Sequence, residues 1–546
     1  MNRYIKGRNP IIYHLLTDRF YKAGGNFNEK LDREFGEFYG GNFLGIRQRL
    51  EESWFTDLGV DAIWISAPYQ QIMGWVPGNN GISRQYAYHG YWPLDFTVTE
   101  PRFGTEDEFH QMVKAAHKIG IKVFIDIVVG HCGYPDVESF QKYLPDAIIS
   151  ELQAEQNPQI RSNNKFLKPC SEILAKWWGP SWIRSSLTGH IPGGEDDMTV
   201  CYHGLPRLRL DNHQSVHLPH FLISKTDTRA CHLPDTNVLG YLVNWLTRWV
   251  SEHGIDGFRC DSAKHVPLSV WTELRQAASC ALKTWRSSQK DDENISPFWM
   301  LGEVYGYGPN RKAQQTQVFD SLINFDFQAH VEEILTVFHK NDSYLRSLAL
   351  LRLDELYMQY AKFCDSSQCG IISYLSSHDT HLFERTHLKT AASLLMLVPG
   401  GIAIYYGDEI GRQPISELPD DEQQAARSAM DWNSVDDQLL SHWKILGNFR
   451  KRHPSIEAGE HLCLSEDPYV FSRKVELDDR TDKIVVSIGT TGHVKIPVSD
   501  VFNDEEILYD AYSGRHVKVS NGTVELVAGD LVLLESAAHL NFRGSL

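Results

Sequence analysis

Between residues 254 and 265 the chain reads Gly254-Ile-Asp-Gly-Phe-Arg-Cys-Asp-Ser-Ala-Lys-His265. A glycine and a short apolar run are followed by Arg259, Asp261, Lys264 and His265. An apolar run ending in ionisable groups reads as a buried parallel strand whose C-terminal tip opens into a site. Three more runs end alike: the run 121–129 carries Asp126 near its end and is followed by His131, Glu303 ends Phe298-Trp-Met-Leu-Gly-Glu303, and His378 and Asp379 end Ser373-Tyr-Leu-Ser-Ser-His-Asp379. One strand-end Asp is ordinarily a helix cap, but four acids at matching strand ends converge on one axis. Converging buried carboxylates repel, so at least one stays protonated at a raised pKa. That pairing suits glycoside hydrolysis, which needs one ionised carboxylate and one protonated acid. Arg259 shares a strand face with Asp261 and would keep it ionised as the nucleophile. Glu303 has Trp299 and Met300 nearby in sequence and no adjacent cation, which makes it the expected acid.

The elements that must carry these groups repeat one pattern, a helix that stops at a glycine before a buried strand. Leu50, Trp54 and Leu58 lead to Gly59. Phe109, Met112, Val113 and Ala116 lead to Gly120. Leu242, Leu246, Trp249 and Val250 lead to Gly254. Helical period, glycine stop, then a β-rich run marks βα units. Eight strands are expected, near 11–16, 60–66, 121–129, 255–261, 298–303, 319–324, 371–376 and 402–407. They predict an α/β chain, a (β/α)8 TIM barrel with active-site residues at strand C-termini. The competing open doubly wound sheet usually carries G-x-G-x-x-G, and the sequence has none.

The spacing divides the chain. About 125 residues separate the third and fourth strands, too many for a crossover, so residues 132–235 are expected to form an inserted domain. Residues 1–131 and 236–455 then make the barrel. After residue 455 short alternating runs flank Ser513-Gly514 and Asn521-Gly522. These hairpin signals predict an antiparallel β-sandwich domain over 456–546.

The net charge of −17 argues against nucleic acid and anionic membrane as partners. The 14 Trp, 23 Tyr and 25 Phe suit sugar rings, whose apolar faces stack on aromatics. No apolar run is long enough for a membrane span, and residues 1–10 lack a signal core. Nine Cys without paired C-x-x-C motifs favour free thiols. A cytoplasmic location is expected, or a periplasmic or secreted one if a leader has been removed.

The segments Asp126-Ile-Val-Val-Gly-His131, Gly257-Phe-Arg-Cys-Asp-Ser-Ala-Lys-His265, Gly302-Glu-Val304 and Ser377-His-Asp379 together resemble the four conserved regions of the α-amylase family. Ala87-Tyr-His-Gly-Tyr-Trp92 adds a fifth match, and the subgroup resembled is the periplasmic α-amylases of enteric bacteria. The resemblance implies an enzyme that cleaves α-1,4-glucans or maltooligosaccharides with retention. Asp261 would be nucleophile, Glu303 general acid/base and Asp379 the transition-state stabiliser. It implies that Tyr91 stacks on the sugar at the cleavage point and that His131 and His378 bind its hydroxyls. Lys264 and His265 would reach the leaving-side sugar, and His89 and Trp92 would line the floor. The bland reading of Tyr91 and Trp92 is core packing, and His117 reads as a surface residue. A glucosidase, trehalose-acting isomerase or glucanotransferase would use the same acids. A non-catalytic relative would usually lack one of them.

The sequence departs from the family at its calcium site. Gly130 stands where an Asn ligand is usual, and Leu205-Pro-Arg207 replaces Leu-Pro-Asp. Losing one oxygen ligand weakens such a site and a cation in place of another repels the ion. No metal is therefore expected there, with Arg207 supplying the positive charge or else facing solvent. A second metal loop at Asp18, Asn26 and Asn28 stays open, so calcium elsewhere is possible.

Overall fold

The helix Val238–His253 shows how the repeated unit is built. Leu242, Trp245, Leu246, Trp249 and Val250 fill its buried face. It ends at Gly254, whose φ of 77° returns its N–H to the Val250 carbonyl. A Cβ there would meet the Trp285 ring, so this stop requires glycine. The chain then turns directly into the strand bearing Arg259. The helix Glu106–Lys118 starts with a capping box between Thr105 and Glu108 and precedes the strand bearing Asp126 in the same way.

The computed structural model describes residues 9–24, 35–77, 84–144, 176–186, 189–289, 296–340, 342–418 and 420–539. Eight parallel strands close into a barrel: β1 Ile11–Leu15, β2 Ala62–Ile65, β3 Lys122–Ile127, β4 Gly257–Cys260, β5 Trp299–Gly302, β6 Ser321–Asn324, β7 Gly370–Tyr374 and β8 Gly401–Tyr405. Each pairs with its sequence neighbours, and β8 closes on β1. Every expected strand lies within two residues of its place. Ile12, Trp64, Phe124, Trp299, Leu301, Ile323 and Ile372 pack the interior. Alternate residues such as Ile63, Ile125, Phe258, Met300 and Ile371 join the larger core that includes the surrounding helices. The two-residue period fixes the register, since a slip of one would turn every charged side chain outward. In that register Arg259 on β4 stands opposite Asp126 on β3 and Leu301 on β5.

Two excursions shape the site's rim. After β2 an antiparallel ladder, Tyr69–Gln71 with Pro93–Thr99, holds the turn bearing His89, Tyr91 and Trp92. The seven-residue strand Pro93–Thr99 was not among the expected elements. After β3 comes the segment 132–235, of which residues 145–175 and 187–188 lie outside the described residues. Trp177, Trp178 and Trp182 are buried there. Trp182 stacks on Trp245 of the helix Val238–His253 at 5.6 Å, which anchors the excursion to the barrel wall. Its short ladder Ile183–Arg184 with Arg207–Leu208 is tied to the end of β3 by a bridge between His131 and Arg207.

The C-terminal region holds a six-stranded antiparallel sheet and a separate pair, Gly492–Pro497 with Thr523–Ala528. Val485, Leu508, Val532 and Leu534 from the first sheet pack with Ile496, Val524 and Leu526 from the pair. The hairpin at Ser513-Gly514 forms between Ile507–Asp510 and Arg515–Lys518. The Asn521-Gly522 turn differs from expectation. Both residues have positive φ and Ser520 bridges Thr523, but the flanking strands diverge into different sheets. Their partners are long-range, which a turn motif cannot reveal. No helix among the described residues is long and apolar enough to cross a membrane.

Candidate active site

Arg259 is the centre of the site, with 1% of its surface exposed. Its Nη1 donates to Asp126 Oδ1 at 2.9 Å and to Asp261 Oδ1 at 2.8 Å. Its Nη2 lies 2.9 Å from Glu303 Oε2 and 3.3 Å from Asp379 Oδ2. One guanidinium thus meets acids from four strand ends. This corrects the expectation that Glu303 has no cation beside it. Arg259 lies opposite β5 in register, a relation that distance along the chain does not show.

Local backbone sets the two central carboxylates. The Asp261 N–H donates to the Ile127 carbonyl and the Glu303 N–H to the Cys260 carbonyl, extending the barrel ladder beyond β4 and β5. Ser262 then adopts φ 50° and ψ 41°, a left-handed conformation uncommon outside glycine and frequent at functional sites. That turn aims its N–H at Glu303 Oε2, 2.8 Å away. Glu303 Oε2 therefore accepts from Ser262 and Arg259, which leaves Oε1 to carry a proton. Asp261 Oδ1 is engaged by Arg259, and Oδ2 has no hydrogen-bond partner among the described residues.

Burial pushes the Glu303 carboxyl up to about 8, against Arg259, with the charges of Asp379 and Asp261 adding to the rise. Burial likewise raises Asp379 and lifts Asp126 to about 6, with Arg259 again opposing.

A ring of aromatics encloses the acids. The Tyr91 hydroxyl lies 2.7 Å from both Asp126 Oδ2 and His378 Nε2. Since an ionised Asp126 can only accept, Tyr91 donates to it and His378 carries its hydrogen on Nε2. That same nitrogen lies 3.1 Å from Asp379 Oδ1. Burial keeps His378 neutral by lowering its pKa well below the usual value. Its ring lies parallel to Tyr91, with centroids 5.4 Å apart.

The remaining expected residues fall into three groups. His131 donates from Nε2 to the Tyr91 carbonyl at 2.9 Å and bonds to no side chain of the site among the described residues. His89 accepts the Tyr91 N–H at 3.0 Å, stacks on the Tyr91 ring at 5.5 Å and packs edge-on against Trp92 at 4.7 Å, with Trp92 9% exposed. Lys264 and His265 lie apart from the acids, beside Asp197 of the inserted segment. His117 is half-buried rather than a free surface residue: it meets Asp256 at 2.8 Å and packs on Trp285, a partner brought in by the next βα unit.

Residues beyond the expected set also build the site. Trp64 donates its indole N–H to Asp126 Oδ2 at 3.1 Å and stacks on His14 at 3.6 Å. Buried Arg427 donates to the His378 carbonyl from Nε and Nη2. Trp64 and His14 stand at inward strand positions, a signal the strand pattern contains. Arg427 comes from a late loop and carries none.

The residues at the expected metal position do not suit a cation. Gly130 offers no side chain, and buried Arg207 donates from Nε to the Met198 carbonyl at 2.6 Å and from Nη2 to the His265 carbonyl. The guanidinium thus places a fixed positive charge and its donors against both carbonyls. At the second loop, the buried Asp18 carboxylate accepts the Tyr39 and Gly40 N–H groups, while Asn26 and Asn28 lie outside the described residues.

Eight parallel strands closed into a barrel, with buried carboxylates gathered at their C-terminal ends, define a (β/α)8-barrel enzyme equipped for acid–base chemistry. A family model for the alpha-amylase catalytic domain matches residues 14–192 and 194–459. The periplasmic alpha-amylase of Escherichia coli K12 is 34% identical over 505 residues, 88% of this chain and 71% of that protein. A cyclomaltodextrin glucanotransferase of Niallia circulans is 23% identical over 94% of this chain and 64% of its own length. Among solved structures, an alpha-amylase from Geobacillus thermoleovorans complexed with acarbose superposes with a TM-score of 0.65 at 22% identity, covering 98% of this chain and all of that one. The chain belongs to the alpha-amylase family of carbohydrate-acting glycoside hydrolases and transferases.

Proposed function

We propose that this enzyme is an α-amylase that hydrolyses α-1,4-glucosidic bonds in starch, glycogen or maltooligosaccharides through a covalent glycosyl-enzyme. The observation that carries the reading is the division of labour around Arg259. Asp261 is held by the guanidinium through Oδ1 with Oδ2 open, while burial keeps Glu303 protonated to about pH 8. Asp261 Oδ2 attacks the anomeric carbon as Glu303 Oε1 protonates the departing glycosidic oxygen. Glu303 then takes a proton from water, which releases the sugar from Asp261 with its configuration retained. Asp379, turned by Arg259 and His378, stabilises the positive charge that develops on the sugar ring.

The test is a timed product profile on starch and short maltooligosaccharides, followed by NMR of the anomer released. The α-anomer appearing first supports the reading, and β-anomer first would overturn it. A glucanotransferase is the second reading, supported by the cyclomaltodextrin glucanotransferase likeness. Cyclic or elongated products from maltooligosaccharides would favour it. We also propose that the enzyme needs no calcium where Arg207 stands.

A further inference from the structure

Asp379 stands past the end of β7, on the segment 377–381 that belongs to no strand or helix. Its N–H donates to Ser377 Oγ at 3.1 Å, a contact within the segment itself. The long-range ties to the main chain of His378 and Asp379 come from the short helix Glu422–Ala425 and its end, which follow β8. Gln423 Nε2 donates to the Asp379 carbonyl at 2.8 Å. Arg427 Nε and Nη2 donate to the His378 carbonyl at 3.2 and 3.1 Å. Gln423 and Arg427 stand at i and i+4, the spacing that puts side chains on one side of a helical turn, and they meet two successive carbonyls. Neither carbonyl has another donor among the described residues.

The helix is itself fixed on two sides. The Ala426 carbonyl accepts from the Tyr405 hydroxyl and from Arg412 Nη1, both at 3.1 Å, which seats it on β8. Gln424 Oε1 accepts the Tyr88 hydroxyl at 2.8 Å, and its Nε2 donates to Gln85 Oε1 at 3.2 Å. Those contacts seat it against the chain that leads to Tyr91. Arg259 and His378 meet only the carboxylate oxygens of Asp379, at 3.3 and 3.1 Å, so the place of that carboxylate also depends on its main chain. Burial raises the Asp379 pKa, and the charges of Arg259 and Arg427 oppose the rise. A shift of about 1 Å in a reacting group can cost on the order of a hundredfold in rate.

We propose that Gln423 and Arg427 are positioning residues for Asp379. By holding the His378 and Asp379 carbonyls, they set where the Asp379 carboxylate meets the sugar ring as that ring gains positive charge. The role given to Asp379 rests on the α-glucan reading above.

Gln423 is exposed, so its substitution leaves the core untouched. Gln423→Ala removes the donor, and Gln423→Glu sets an acceptor of the same size against the carbonyl. Each should lower kcat for maltopentaose about three- to tenfold, the value of roughly one hydrogen bond, with KM and melting temperature little changed. Gln423→Lys, which restores a donor, should recover part of the loss. Arg427→Lys, which keeps the charge but gives up the two-point grip, should act in the same direction as Gln423→Ala. A double-mutant cycle on α-maltosyl fluoride, whose good leaving group keeps slow variants measurable, gives the deciding comparison. In Asp379→Asn enzyme the further change Gln423→Ala should cost about twofold at most, because the group it positions is gone. Independently, hydrogen exchange of the peptide bearing residues 377–381 should be faster in Gln423→Ala than in wild type. Equal losses in the two backgrounds, an unchanged kcat in both Gln423→Ala and Gln423→Glu, or unchanged exchange at 377–381 would overturn the proposal. Wild-type enzyme that cleaves neither substrate would defeat the α-glucan reading, and the exchange measurement would still decide whether Gln423 holds the segment.

Discussion

One guanidinium facing four carboxylates cannot neutralise them all, so the site must hold a proton. Glu303 is where the structure puts it, because burial raises that group to about 8 and two N–H donors occupy its Oε2. The alkaline limb of kcat/KM should therefore fall as pH rises through about 8, where the acid is lost. A pH profile on maltopentaose checks this, and a limb near the ordinary carboxylate range would contradict it. Glu303→Gln and Asp261→Asn should each lower kcat by about 10³-fold or more. The two should differ on α-maltosyl fluoride. Fluoride leaves without a proton donor, so Glu303→Gln should keep a substantial rate for the first step. Asp261→Asn should lose it. Release of fluoride ion measured in single turnovers separates the two.

At the scale of elements, the inserted segment is held to the barrel through its short ladder and through Arg207. Arg207→Ala would leave the Met198 and His265 carbonyls without their donor, at a cost of about 2 kcal/mol or more. The expected result is a lower melting temperature in Arg207→Ala and an unchanged one in wild-type enzyme treated with EDTA. A bound ion adds stability by mass action, so a large drop on chelation would refute the calcium proposal.

The barrel was legible because each unit announces itself locally. Period, glycine stop and β-rich run lie within about twenty residues, as in Leu242 to Cys260. The acids were legible because strand ends place them. The cation beside Glu303 was not, since it depends on the register of β4 against β5. Arg427 and the Asp197 loop were not legible either, because they arrive through long connections whose path no local pattern encodes. The Asn521-Gly522 turn forms, but its flanking strands part into different sheets for the same reason.

At the scale of the molecule, the barrel meets the C-terminal sheet through a buried histidine. His453 follows the helix Asp437–Arg452, and its Nδ1 lies 2.9 Å from Asp482 while its Nε2 lies 2.9 Å from Glu535. Both acids belong to strands of the six-stranded sheet, Thr481–Ile488 and Leu531–Ser536. Carboxylates that accept at both ring nitrogens require both to carry hydrogen, so His453 is an imidazolium. Burial alone would lower its pKa, but the hydrogen bonds and charges of Asp482 and Glu535 raise it. Both acids are in turn lowered, against their burial, by His453, with Arg452 also acting on Glu535 and the Ser455 N–H on Asp482. The raised histidine adds stability that is full below its unfolded value of 6.5 and fades as pH climbs through the folded value. The lowered acids add stability that is full above their unfolded values of 3.8 and 4.5 and fades as pH drops through the folded ones. The clamp is therefore at full strength between about pH 4.5 and 6.5 and weakens on either side. His453→Gln keeps a side chain of similar reach but has no charge to offer, and it leaves two buried acids short of a partner, at a cost of about 3 kcal/mol. The difference in unfolding free energy between wild type and His453→Gln, followed by urea denaturation from pH 4 to 10, should be largest in that window and shrink above it. A difference that stayed constant across the range would mean that His453 contributes packing alone.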